Sequence, residues 1–391
     1  MNRSLWRLCL LLPAALWLAL AFGHTTRAAE DAGQKKSPPP QEKIDWDYAR
    51  QLYEKFRSGQ DLKPEERTYL ERAKQAKSKA GPQGPRPNVP PPTPHTGLIP
   101  LDQMGPTDTY KGEDGGLYGN GKNVPPGEHQ KAADRQLAKI VPLAPDGKPA
   151  ANGKIVLLSI GMSNTTQEFS KFKELADRDP VKSPQVIVVD GAQGGQDAAR
   201  WADANAPAWR NAEQRLQAAG VSPQQVEVVW MKHARIGPSQ YGEFPKHVEE
   251  LKGHIRASLS IAAQKFTNLR VAYLSSRIYA GYATTPLNPE PFSYESGLAV
   301  RALIREQIKG DARLNWDPAK GDVKAPVLLW GPYLWADGIT PRKSDGLLYT
   351  REDLAGDGTH PNNSGREKVA KLLVKFFQTD PNAKGWYCVK Q

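Results

Sequence analysis

From Lys154 onward, short apolar runs alternate with longer stretches in which apolar residues recur at helical spacing. The runs 155–160, 186–189, 226–231, 269–274 and 327–330 are four to six residues long and rich in Val, Ile and Leu. Runs this short and this apolar suit strands buried on both faces. The intervening patterns predict helices over 166–176, over 196–219 with a break at Pro207, and over 245–266, 294–308 and 365–377. Strand and helix alternating in this way predict an α/β three-layer sandwich with right-handed crossovers. In such a sheet the ligand belongs at the carboxyl ends of the strands.

The first third of the chain reads differently. Arg3 and Arg7, the apolar run 8–22 and the small residues Thr26, Ala28 and Ala29 predict a signal peptide over 1–29. A polar, proline-rich lead-in covers 30–43. Over 44–80, Trp46, Ala49, Leu52, Tyr53 and Phe56, then Tyr69, Leu70 and Ala73, predict a small helical hairpin. A Pro-rich linker (81–97) and a Gly-rich segment (98–153) expected to pack on the main domain lead into that domain at 154–387.

Export and the lack of any later stretch apolar enough for a bilayer predict a soluble, secreted or periplasmic bacterial protein without stable membrane insertion. With Cys9 inside the signal, Cys388 has no cysteine to pair with, so the fold must be held by its core. The formal charge of +11, less Arg3, Arg7 and Arg27, leaves +8 in the mature chain. Its basic residues are scattered and form no stripe with interleaved aromatics, which argues against a nucleic-acid partner.

Chemistry gathers at two places. The first strand runs into Gly161-Met162-Ser163-Asn164-Thr165, which puts a hydroxyl at a strand-to-helix corner beside helix N-terminal N–H groups. Ser163 is there either a nucleophile or a helix cap. Just before the last helix stands Asp357-Gly358-Thr359-His360, followed by Ser364 and Glu367 in a capping-box pattern. A carboxylate three residues before a histidine can accept the imidazole Nδ1–H and leave Nε2 free to deprotonate an alcohol. His24, His95, His129, His247 and His254 lack such a setting, and solvated or packed imidazoles are expected there.

Gly-x-Ser after the first strand and Asp-x-x-His before the last helix resemble the first and last sequence blocks of the SGNH/GDSL hydrolases, over about 154–377. The resemblance implies a flavodoxin-like five-stranded parallel sheet, with Ser163 as nucleophile, His360 as general base and Asp357 as its orienter, and neither metal nor cofactor. Met162 departs from the family pattern, which has Asp there. The family's oxyanion glycine falls on Gly195, with Gly194 as the alternative. Its asparagine after the third strand is missing; Lys232 and His233 stand in that region, and a hydrogen bond to the oxyanion, contact with an acidic substrate group or simple packing all suit them. Asn164, Arg277 and Tyr279 are further candidates for substrate contact. The aromatic loops 275–282 and 330–335 are expected either to wall the site, where rings stack on sugars, or to cover the core.

Together these features imply a secreted ester hydrolase acting on an acylated small or polymeric substrate, with an acylated carbohydrate favoured. The alternative is a non-catalytic carbohydrate-binding or envelope-associated protein on a degenerate scaffold.

Overall fold

The apolar runs form strands because every position of most of them meets a helix layer or a neighbouring strand. The computed structural model describes residues 44–45, 48–49, 52–53, 55, 61–79 and 91–389, so the expected signal and lead-in lie outside the described residues. The chain separates into two compact units, one up to Gln83 and one from Gly84 onward.

In the first unit, α1 (Pro64–Lys79) follows helical positions at 48–49, 52–53 and 55. Leu52, Leu62 and Leu70 form its small core, and Lys55 pairs with Glu66 at 3.0 Å. Trp46 and Phe56, expected on the same face, lie outside the described residues.

The second unit opens with a short hairpin, β1 (Thr109–Tyr110) and β2 (Glu113–Asp114), then α2 (Gly127–Leu137). The Gly-rich segment is fastened to the sheet region by Arg301 to Glu113 (2.7 Å), Arg305 to Asp114 (2.7 Å) and the Trp330 indole N–H to Leu117 O (2.7 Å). Next come β3 (Ile155–Gly161), α3 (Ser163–Ala176), β4 (Val186–Asp190), α4 (Ala198–Trp201) and α5 (Pro207–Ala218). The predicted break at Pro207 is a helix start, with the proline at a position whose N–H needs no partner. Then follow β5 (Val226–Lys232), α6 (Lys246–Lys265), β6 (Val271–Ser275), α7 (Phe292–Ile308), β7 (Val327–Trp330), α8 (Asn363–Thr379) and α9 (Lys384–Tyr387).

The five-stranded sheet is wholly parallel, in the order β4-β3-β5-β6-β7. This is the flavodoxin-like arrangement, with helices on both faces. Helices α3 and α8 pack side by side on one face, and α6 packs against α4 and α7. Phe169 of α3 stacks on Trp230 of β5 at 5.3 Å, and Phe172 meets Phe377 of α8 at 5.3 Å. These rings hold together the two helices whose starts carry the candidate chemistry. Among the described residues no helix is long and apolar enough to cross a membrane.

One capping expectation is corrected. Asn362, not Ser364, caps α8, its side chain accepting from the N–H of Ser364 (2.9 Å) and Gly365 (3.3 Å). The Ser364 hydroxyl is spent on Asp353 at 2.6 Å.

The corner between β3 and α3 depends on Gly161. At φ +157 its added Cβ would overlap the Lys232 carbonyl and the Thr165 hydroxyl. Gly161→Ala is therefore expected to lower the unfolding free energy by about 2–4 kcal/mol, read from the urea midpoint.

Candidate active site

Residues from four segments converge at the carboxyl edge of the sheet. Ser163 is the first residue of α3, where the Met162 N–H donates to Thr165 Oγ1 at 3.3 Å and Gly161 O accepts from the Gln193 N–H and the Trp201 indole N–H, each at 3.0 Å. The corner is thus held from both sides. Its hydroxyl lies 2.7 Å from His360 Nε2, and His360 Nδ1 lies 2.5 Å from Asp357 Oδ2.

The turn that carries Asp357 and His360 is closed by a bridge between Leu354 and Pro361 and by Ala355 N–H to His360 O at 2.8 Å. Gly358 occupies φ +64, and any side chain there would overlap the Tyr282 carbonyl. Asp357 Oδ1 also accepts from the backbone N–H of Thr359 and of His360, both at 3.0 Å. Burial pushes the Asp357 carboxyl up, but the hydrogen bonds from the His360 ring and from the two backbone N–H groups outweigh it and hold the group at about 2. Asp357 is therefore ionised at any ordinary pH and favours the Nδ1–H tautomer of His360. The two side chains remain 27% and 21% exposed, so the site opens to solvent.

The loop after β4 is anchored below this corner. Asp190 accepts from the hydroxyls of Ser159 (2.6 Å), Thr166 (2.6 Å) and Ser170 (2.7 Å). Gln193 is fixed through its side chain to Gly191 O and Ala208 O, at 3.0 and 2.8 Å. With the Gln193 N–H already bound to Gly161 O, the turn at Gly194 and Gly195 follows directly beside the corner bearing Ser163, and Gly195 adopts φ +75.

The remaining sequence candidates are placed away from solvent. Asn164 is buried and donates to Thr359 O at 2.9 Å. Arg277 is buried and donates to the same carbonyl at 3.3 Å. Lys232 does not face the site. It is wholly buried in an ion pair with Glu168 of α3, because a lone ammonium under the sheet edge needs a carboxylate. Burial pulls its pKa down to about 8 against the opposing pull of Glu168. His233 is equally buried beside Trp201, and burial, then His254, push it to about 3, so the ring is neutral. Tyr279, Trp330, Tyr333 and Trp335 are buried too, so these rings cover the core rather than wall a sugar site. The Tyr279 hydroxyl donates to Thr93 O.

That contact belongs to a feature the sequence pattern hid. Residues 93–95, expected within a linker, are bonded to the sheet unit: Thr93 N–H to Gly281 O at 2.6 Å, and His95 Nδ1 at 2.7 Å from the buried Asp337. The His95–Asp337 pair joins residues 242 apart, and nothing local in the sequence could announce it. Among the described residues no group of three or more His, Cys, Asp or Glu side chains is arranged to hold a metal ion.

No protein-family model and no curated protein matches the chain. Among solved structures, it is similar to an alpha/beta hydrolase enzyme from the metagenome of Lake Arreo, Spain, at 14% identity and TM-score 0.35, over 61% of this chain and 99% of that one. It is also similar to a lipase from a goat rumen metagenome, at 14% identity and TM-score 0.32, over 56% of this chain and 96% of that one.

Proposed function

We propose that the chain is a serine ester hydrolase working through an acyl-enzyme. The observation that carries this reading is the unbroken line from Ser163 Oγ to His360 Nε2 (2.7 Å) and from His360 Nδ1 to Asp357 (2.5 Å). In it, His360 Nε2 removes the Ser163 proton as Oγ bonds to the acyl carbon. The carbonyl oxygen becomes an oxyanion facing the N–H groups of Ser163 and of Gly195 or Gly194, with the positive end of α3 behind them. The imidazolium then protonates the departing alkoxide, and water repeats the cycle to release the acid. Lys232 takes no part, since its charge is matched by Glu168.

The buried rings of Tyr279, Trp330, Tyr333 and Trp335 offer no face to a sugar, so the proposal stops at an acyl ester of an alcohol. Export by the segment 1–29 would place that substrate outside the cytoplasm.

The purified protein is expected to release the aryl alcohol from a short-chain aryl ester, and added hydroxylamine should divert the acyl group to a hydroxamate. Absence of both products from the folded protein would contradict the proposal.

A further inference from the structure

Thr359 and His360 share one peptide unit, and both of its polar ends are taken. Its carbonyl oxygen accepts from Asn164 Nδ2 at 2.9 Å and from Arg277 Nη2 at 3.3 Å, while its N–H donates to Asp357 Oδ1 at 3.0 Å. This unit is bonded directly to the Cα that carries the imidazole. Asn164 adjoins Ser163 on α3, and Arg277 lies two residues beyond the end of β6. The clamp therefore joins the serine corner, the histidine turn and a central strand.

Arg277 is only 1% exposed. Among the described residues its guanidinium forms no ion pair with a carboxylate, and its Nε has no hydrogen-bond partner. Glu168, Glu290 and Asp357 act on it only through space. Glu168 is already paired with Lys232. Glu290 is occupied by the Ser293 hydroxyl, the Trp335 indole and the N–H groups of Ala280 and Tyr294. A buried cation so incompletely matched costs stability, and an apolar chain of similar length would serve the core better.

We infer that Arg277 is a positioning residue, whose guanidinium, with the Asn164 amide, grips the Thr359 carbonyl and so fixes the imidazole of His360 against Ser163. The inference rests on the hydrolase reading for its kinetic consequence, and on geometry alone for its spectroscopic one.

The test uses the full chain with Arg277→Met and Arg277→Lys. For Arg277→Met, kcat on a short-chain aryl ester should fall about 10²-fold, the scale of a small misplacement of a reacting group, with KM within about threefold. Its thermal midpoint should hold or rise. Arg277→Lys, which keeps a cationic donor on a side chain one bond shorter, should recover about tenfold of the loss. Independently of turnover, the proton NMR signal of His360 Nδ1–H, assigned by its disappearance in His360→Gln, should be sharp in the wild type and broadened in Arg277→Met. Unchanged kcat with an unchanged signal overturns the inference, as does a Met variant that unfolds or loses stability together with activity. If the wild type hydrolyses no ester, the hydrolase reading fails, and the signal alone decides for or against the positioning role.

Discussion

Ser163→Ala is expected to lower kcat for a short-chain aryl ester by about 10⁴-fold or more, with stability changed by less than about 1 kcal/mol. The half-buried hydroxyl makes its side-chain hydrogen bond to His360 at 2.7 Å, and the corner is held by Met162, Thr165, Gln193 and Trp201 instead. Removing one oxygen thus deletes the attacking atom and leaves the scaffold. Initial rates and a urea titration on the same preparation check both halves. Full activity in the variant would place the nucleophile elsewhere.

Asp357→Asn should cost about 10⁴-fold in kcat although it changes no shape. The two backbone N–H groups at 3.0 Å can keep the amide oxygen, which turns the amide nitrogen toward His360 Nδ1. A ring nitrogen facing a donor must accept, so the proton moves to Nε2 and the ring can no longer take one from Ser163. The same carboxyl sets a stability window. Its folded value of about 2 lies below the ordinary 3.8, so its stabilisation is complete above pH 3.8 and fades as pH falls through about 2. Loss of activity at milder pH therefore does not come from the Asp357 carboxyl, and Asp357→Asn should lower the rate throughout that range.

The sheet was legible because its strands are buried on both faces, and physics then demands apolar runs such as 155–160 and 226–231 with almost no polar interruption. Helix boundaries after β3 were nearly as plain, since Pro207 can open a helix but not continue one, whereas α2 inside the Gly-rich segment was not foreseen. Cap identity was not plain. Asn362, Ser364 and Glu367 all satisfy capping chemistry, and only the path of the chain past Asp353 decides that Asn362 caps while Ser364 bonds elsewhere.

Around the site, the local spacing of Asp357 and His360 could be read because the pair closes within one turn. Lys232 could not: its partner Glu168 lies 64 residues away on α3, and a charge at a strand end looks the same in sequence whether it faces substrate or is neutralised beneath it. The aromatic loops after β6 and β7 left two readings open for a related reason. Trp and Tyr suit both a sugar platform and a core lid, and Trp335 and Tyr279 are buried in the lid. His95 was hidden by its proline-rich surroundings, and its contact with Asp337 depends on a chain path that composition does not encode.

The most direct measurement is reaction of the intact protein with a fluorophosphonate, followed by mapping of the modified peptide. The account predicts a single adduct on Ser163 whose formation is slowed strongly by Asp357→Asn. A folded protein that takes no label, or takes it on another side chain, would contradict it.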